Sequence, residues 1–552
     1  MNIIYYALKI LVPKVRAFEE ATKDPIEAQK KALLEYITRN KDTLYGQKYN
    51  FAGIESIEDF QRMVPMSDYE SLEPYIEKMK KGESNILTVD EPILFGVTSG
   101  TTGRQKFVPI TNYSRTKKAD VMDLWIYYIS KDHPDVFDGK ILAIVSPEVE
   151  GHTESGVPYG TETGHGYKNL PDVVRALYVL PYEVFEIKDY ESKYYSILRL
   201  AMEENVTTIA TMNPSTIVLL CQKIEKIKDD VIEDIEKGTL KGDLDIPNNI
   251  REIIEKRLKP NPERAEELRK ILKKKKKLLP KDIWPNMKLI ECWKGGTVGV
   301  YLREFPKYFG DVSVRDFGYL ASELRGSIPV SDAGAGGVLA INANFYEFIP
   351  KEDMGAREKR VLLCDQLEKH KEYFIMVTTP GGLCRYNIDD IIRVIGYFNN
   401  TPIIEFVQKG LNVSSITGEK LYESQVVEAV HKAVERHKLP LKFFTACVQT
   451  RGNFCYNFLV EFGEALPHNI KKEFLKSIDE ELCRANVEYE SKRKSQRLCH
   501  PVLKVVKPGE FEKYREKKVN EGAHDGQFKV SELSCDLDFY KQFKIEEDIS
   551  IE

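Results

Sequence analysis

Residues 98–106 of this 552-residue chain read Thr98, Ser99, Gly100, Thr101, Thr102, Gly103, Arg104, Gln105 and Lys106. Four hydroxyl side chains and two glycines in six positions, followed by two cations, gather backbone N–H groups, hydroxyl donors and positive charge in one small volume. That combination suits a polyphosphate. The spacing is not that of a P-loop NTPase, whose glycine is followed directly by Lys and Ser/Thr, and it is not the dinucleotide fingerprint. By composition such a segment is also an ordinary loop, so its partners elsewhere in the chain must decide its role.

The elements that position this loop are readable on both sides of it. An apolar run at 92–95 precedes it, and Phe107, Val108, Pro109, Ile110 and Thr111 lead into a long helical pattern through Met122, Trp125 and Ile129. Short apolar runs at 141–145 and 206–210 have the character of buried parallel strands. Further strand-like runs fall at 338–341, 345–350 and 373–378. Their alternation with helical stretches over residues 90–400 argues an α/β domain. Residues 16–46 read as one helix, and 56–59 and 67–70 as capped helix starts. Residues 151–170 read as a long glycine-rich loop whose His152 and His165 show no metal-ligand motif and are better suited to line a substrate pocket.

Residues 222–282 shift to Lys and Glu, with five consecutive lysines at 273–277. They read as an exposed helical insertion, its charges solvated and locally balanced rather than gathered for a membrane or nucleic acid. The polar stretch 408–420 suits a hinge. Beyond it, a helix at 423–437, strands at 443–449 and 456–462 and a helix at 468–486 predict a small α+β domain.

Composition bounds the remaining classes. A net charge of −5 gives no reason to expect nucleic acid as a partner. The nine cysteines include no Cys-x-x-Cys pair, which argues against a disulfide framework or zinc site and for a reducing cytoplasm. The apolar N-terminal segment 3–12 is about half of a membrane span in length and reads as an amphipathic first helix.

Four stretches together resemble the adenylate-forming superfamily and, within it, the auxin-responsive-promoter family of acyl-acid amido synthetases, as a microbial-type member. Residues 98–106 are similar to the superfamily's phosphate loop. Tyr319, Leu320, Ala321, Ser322 and Glu323 resemble its second motif, and 382–390, ending in Arg385, Tyr386, Asn387, Ile388, Asp389 and Asp390, its third. Gly418, Glu419 and Lys420 resemble the hinge-side motif. Residues 60–65, 346–350, 404–406, 489–495 and 526–529 extend the resemblance over nearly the whole chain. Asp389 stands where that family usually has glycine, Cys384 where it has tyrosine, and Val530 where a proline often follows the C-terminal lysine.

The resemblance implies an ATP-dependent ligase that adenylates a carboxylic acid with release of pyrophosphate and passes the acyl group to an amine, expected to be an amino acid. It implies a large N-terminal α/β domain of mixed sheets and flanking helices over 1–407, a hinge at 408–422 and a small mobile α+β domain over 423–552. Thr98, Ser99, Gly100, Thr101, Thr102, Gly103 and Lys106 are expected to hold the phosphates, Glu323 to hold Mg²⁺, and Asp390 the ribose hydroxyls. Tyr319, Ala321, Ser322, Tyr346 and Phe406 are expected around the nucleotide, with Lys420 and Lys529 as catalytic cations. Arg385 is expected to orient its turn through an internal bond. A soluble, monomeric, cytoplasmic enzyme without a membrane span follows. Two rivals share these motifs: a CoA ligase, distinguished by CoA-stimulated turnover, and a catalytically weak binding protein, distinguished by absence of pyrophosphate exchange.

Overall fold

A computed structural model describes residues 3–99, 105–295, 301–354, 356, 358–410, 413–449, 454–520, 531–537 and 539–551. The chain divides into two compact units, one built from Met1–Thr98 and Lys106–Val407, the other carrying Gln408–Glu552.

In the first unit, strands Lys140–Ala143, Val206–Ala210, Leu289–Glu291 and Ser313–Arg315 form a wholly parallel sheet in that spatial order. Parallel strands require crossovers, and the crossovers here are helical. The helix Pro214–Lys237 starts where Asn213 accepts from the Ser215 N–H with Pro214 in the first turn, and ends at Gly238, whose φ of 68° closes the last turn. The helix Asn112–Asp132 opens on a reciprocal cap: Thr111 accepts from the Ser114 N–H, and Ser114 accepts from the Thr111 N–H.

A second sheet has strand order Phe345–Pro350, Glu372–Thr378, Tyr386–Phe398, Thr401–Lys409, Gly337–Leu339 and Ser327–Ile328. A third joins Gln105–Thr111, Pro92–Ser99, Pro158–Gly160 and Val149–His152. One contiguous core, including Phe95, Val108, Trp125, Phe317, Tyr319, Tyr346 and Ile392, connects these layers.

The second unit is a five-stranded mixed sheet, Leu533–Ser534, Leu441–Gln449, Cys455–Phe462, Val502–Val506 and Ile545–Ser550, with helices Glu423–His437 and His468–Ala485 packed on it. Of the nine free cysteines six are buried. The three that are partly accessible, Cys483, Cys499 and Cys535, all belong to this unit.

Three expectations from sequence change. The single helix at 16–46 is broken: Ile3–Ala21 ends, Asp24 caps a new helix by accepting from the Glu27 N–H, and Pro25–Arg39 and Leu44–Lys48 follow. Pro25 favours this because a proline fits a first helical turn and not an interior. The glycine-rich stretch 151–170 is not a loop throughout, since it holds Pro158–Gly160 and the helix Glu162–Lys168, capped by Thr161. The charged insertion is not merely an exposed face. Its helices, Asn248–Glu255, Pro262–Lys275 and the end of Pro214–Lys237, bury Ile224, Val231, Ile235, Ile250, Ile254 and Leu268, although Lys273, Lys274, Lys275, Lys276 and Lys277 are all exposed.

Candidate active site

The carboxyl ends of the parallel strands are where ligands bind in open α/β sheets, and the chain leaves the Ser313–Arg315 strand directly into the 319–323 motif. Its path is held by Asp316, whose two carboxylate oxygens accept from the Gly318 and Lys294 N–H groups at 2.6 Å each. Burial pushes this carboxyl up to about 6. The indole N–H of Trp125 donates to the Asp316 carbonyl at 2.8 Å, and its ring stacks on Phe317.

Tyr319 then enters the core, 5% exposed. Its hydroxyl donates to Asp390 Oδ2 at 2.8 Å, and its ring lies nearly parallel to Phe406, 9° apart in plane and 6.4 Å between centroids. Burial and the Asp390 carboxylate raise the phenol well above its ordinary range, which keeps it protonated as a donor. Ala321 and Leu324 exchange backbone hydrogen bonds, so Ser322 and Glu323 sit on the corner of a tight turn, both partly accessible. Gly96 runs against this turn, since a Cβ there would lie 3.5 Å from that of Ser322. The strand leading into the phosphate-type loop and the 319–323 turn are therefore neighbours.

Lys106 lies with its ammonium 5.2 Å from the centre of the Tyr69 ring, whose hydroxyl accepts from the Phe107 N–H. Tyr346 is 1% exposed, and its hydroxyl lies 3.2 Å from the Gly326 carbonyl. Gly326 in turn donates to the Tyr319 carbonyl. Tyr346 is thus a core residue that supports the Tyr319 segment rather than a ring presented to a ligand. Gly100, Thr101, Thr102, Gly103 and Lys529 lie outside the described residues, as do the side chains of Thr98 and Ser99.

The third motif is built on a hairpin start with unusual backbone. Arg385 has φ 45° and Asp389 φ 65°. A left-handed residue is what glycine supplies most easily, and Asp is among the few others that enter this region readily. The Asp389 N–H donates to Asn387 Oδ1, a local bond that supports the turn delivering Asp390. Cys384 is buried, its thiol pushed up to about 12. Its carbonyl accepts from the Ser67 hydroxyl, and Ser67 also exchanges backbone bonds with Arg385 and Asn387.

Sequence reading missed Lys118. Its ammonium donates to the Ser322 carbonyl at 2.8 Å and to Glu162 at 2.6 Å while the residue is 8% exposed. The signal was its place three residues before Val121 and seven before Trp125, on the buried stripe of its helix. It missed Glu347 as well, a lone carboxylate in the buried strand Phe345–Pro350. Such a charge demands a partner.

In the second unit Lys420 has φ 46°. Glu419 beside it is fully buried and accepts from the Ile416 and Thr417 N–H groups, the Thr417 hydroxyl and the Tyr456 hydroxyl. Asn486 donates to the carbonyls of Glu419 and Lys420 at 3.1 Å each. The Lys420 backbone is thereby held, and its side chain stays partly accessible.

A buried Tyr–carboxylate pair thus lies beside a partly accessible Ser–Glu corner at the carboxyl edge of a parallel sheet, and the family matches make the class an acid-activating adenylate-forming ligase. Residues 14–314 match the GH3 family N-terminal domain, 337–409 its central domain and 424–537 its C-terminal domain. The chain belongs to the GH3 family of acyl-acid amido synthetases, ATP-using ligases that form an amide through an acyl-adenylate. It is 27% identical over 541 residues to the jasmonoyl–L-amino acid synthetase JAR4 of Nicotiana attenuata, covering 94% of this chain and 92% of that one. It is 25% identical to the indole-3-acetic acid-amido synthetase GH3.5 of Arabidopsis thaliana, covering 94% and 90%. The solved GH3.15 acyl acid amido synthetase shares the fold with a TM-score of 0.66 at 23% identity, covering 97% of each chain. Among the described residues, no helix is long and apolar enough to cross a membrane and no group of three His, Cys, Asp or Glu is assembled for a metal.

Proposed function

We propose that this chain joins a small carboxylic acid to an amino acid, using the Tyr319–Asp390 pair and the loop at 98–106 as its ATP site. The observation that carries the reading is the 2.8 Å bond from Tyr319 to Asp390, because it brings the second and third motifs to one place. Asp390 takes the ribose hydroxyls through its carboxylate, which accepts hydrogen bonds. Ala321 and Ser322 offer small side chains to a flat base, with Phe406 beside Tyr319. Thr98, Ser99, Gly100, Thr101, Thr102, Gly103 and Lys106 take the phosphates. Tyr346 acts through the Gly326 turn.

Glu323 is the residue to hold Mg²⁺. A single accessible carboxylate fits an ion that completes its shell with phosphate oxygens and water, and bound there it neutralises phosphate charge. The acid's carboxylate oxygen attacks the α-phosphorus and pyrophosphate leaves; the amine then attacks the acyl carbon and AMP leaves. Lys420 and Lys529 supply positive charge to these steps from the small domain. A hinge at 408–422 between domains 1–407 and 423–552 lets the two half-reactions use different closures. The enzyme is read as a microbial-type, monomeric, cytoplasmic protein. The test is acid-dependent exchange of labelled pyrophosphate into ATP over a panel of aromatic, indole-type and aliphatic acids, followed by mass detection of the amide with each amino acid. Exchange with no acid, or turnover stimulated by CoA and by no amino acid, defeats the reading.

A further inference from the structure

Lys118 meets the second motif directly, and the proposed function leaves it without a task. It lies on the buried face of the helix Asn112–Asp132, 8% exposed. Two side chains of that helix donate to backbone carbonyls of one segment: Trp125 to Asp316 and Lys118 to Ser322, each at 2.8 Å. The donors stand seven residues apart, about 10 Å along the helix axis, and their acceptors six residues apart. The helix thus grips the chain both before and within the 319–323 turn.

That turn has one loose element. Leu320 and Arg325 pair across it as an antiparallel bridge, and Ala321 and Leu324 exchange both backbone hydrogen bonds, at 2.9 and 3.2 Å. Ser322 and Glu323 form the two-residue loop between them. Loops of this length favour the primed turns, which need a positive φ, and neither residue has one. What remains with this bonding is a type I turn, a form that splays its strands and differs from type II by rotation of the central peptide. Here the central peptide joins Ser322 to Glu323, and its oxygen is the one Lys118 holds. A peptide is planar, so fixing the Ser322 carbonyl also fixes the Glu323 N–H and the direction in which Glu323 leaves the corner.

The ammonium is itself held. Glu162 accepts from it at 2.6 Å from the first turn of the helix Glu162–Lys168. That helix follows on the strand Pro158–Gly160, which pairs through Tyr159 and Gly160 with Phe95 and Gly96, on the way into the phosphate-type loop. Lys118 therefore ties the Ser322–Glu323 corner to the sheet that leads to that loop. Resting on the proposed function, in which Glu323 holds Mg²⁺, we infer that Lys118 is a positioning residue for adenylation: by clamping the Ser322 carbonyl it sets the Glu323 carboxylate for the metal.

Lys118→Met removes the donor. The double variant Lys118→Met/Glu162→Met also removes the carboxylate that the single change strands, so the test does not depend on the single variant folding. In both, acid-dependent pyrophosphate exchange is expected to fall by about 10–100-fold, with a raised half-saturating Mg²⁺ and an unchanged KM for the acid. In the same variants without metal or nucleotide, amide hydrogen exchange at Ala321 and Leu324 is expected to quicken. An ion pair that serves stability alone would instead give a double variant with wild-type Mg²⁺ response and wild-type protection, and that result overturns the inference. So does a raised KM for the acid with Mg²⁺ dependence unchanged, which puts the ammonium on the substrate. Both outcomes leave the proposed function standing. Glu323→Ala with an unaltered Mg²⁺ response, or absence of exchange with any acid, removes the reading that assigns the metal and this inference with it.

Discussion

Arg385 and Glu347 meet side by side in the core of the large unit, with the guanidinium Nε and Nη2 each 2.9 Å from a carboxylate oxygen. The side chains are 7% and 1% exposed. The remaining guanidinium nitrogen donates to the Gln61 and Val64 carbonyls, and the Gln61 amide returns a bond to Glu347. This explains why residues 60–65 travel with the third motif: they complete the coordination of the arginine that starts it. Removing one partner of such a pair leaves a buried charge unpaired. Glu347→Ala is expected to destabilise by about 3–5 kcal/mol, with the double replacement Arg385→Met/Glu347→Leu recovering most of that in urea denaturation.

Tyr319→Phe deletes one hydrogen bond to a carboxylate and keeps the ring on Phe406. Since bonds to charged groups contribute about 1.5–3 kcal/mol to stability, the variant is expected to lose stability on that scale and, with Asp390 less firmly held, to raise the KM for ATP by roughly 10-fold. Asp390→Ala raises it further, whereas Glu323→Ala lowers kcat and shifts the Mg²⁺ dependence. Steady-state kinetics at varied ATP and Mg²⁺ separate the three, and unchanged kinetics in all would remove the site.

Asp389 already holds a left-handed backbone, so Asp389→Gly is expected to change stability by no more than about 1 kcal/mol. Asp389→Val, whose branched side chain opposes that conformation, is expected to destabilise by about 1–2 kcal/mol and to weaken ATP binding through the displaced Asp390. Thermal melts with and without ATP read both effects.

Glu419 holds four donors inside the small unit. Glu419→Ala strands them and is expected to destabilise that unit by about 3 kcal/mol or more, seen as early loss of hydrogen-exchange protection at Ile416 and Thr417. Tyr456→Phe, which removes one donor, has a smaller effect.

Glu291 gives a pH signature. Its folded carboxyl, raised by burial from 4.5 to about 8, holds a proton that the unfolded chain has released. Across that window native protein binds more protons than unfolded protein, so this group's contribution to stability falls as pH rises. Glu291→Gln does not titrate. Its melting temperature is expected to gain on wild type from pH 5 to 8 and to level off above.

The 319–323 turn and Asp390, which meet through the Tyr319 hydroxyl, were readable as motifs from residue type and order, whereas residues 100–104 of the phosphate-type loop lie outside the described residues. What anchors them in the fold was not readable. Lys118 and Ser322 are 204 residues apart, and Glu347 and Arg385 38 apart; local patterning does not reveal such pairings. The helix break at Asp24 and Pro25 was readable from capping rules, but the apolar period running through it suggested continuity. Residues 158–168 became strand and helix because strand pairing with 92–99 and a threonine cap outweigh low propensity. Tyr346 looked like a ligand contact by motif, and the Gln29 and Asn344 bonds around it reveal a supporting residue.

The distribution of thiols provides a spectroscopic opportunity. Cys221, Cys292, Cys364 and Cys384 of the large unit are all buried, while Cys483, Cys499 and Cys535 of the small unit retain accessible surface. A maleimide dye added to the unmodified native chain will therefore report from the small unit alone. Its anisotropy during each half-reaction would follow that unit in real time, with no cysteine engineered in or out.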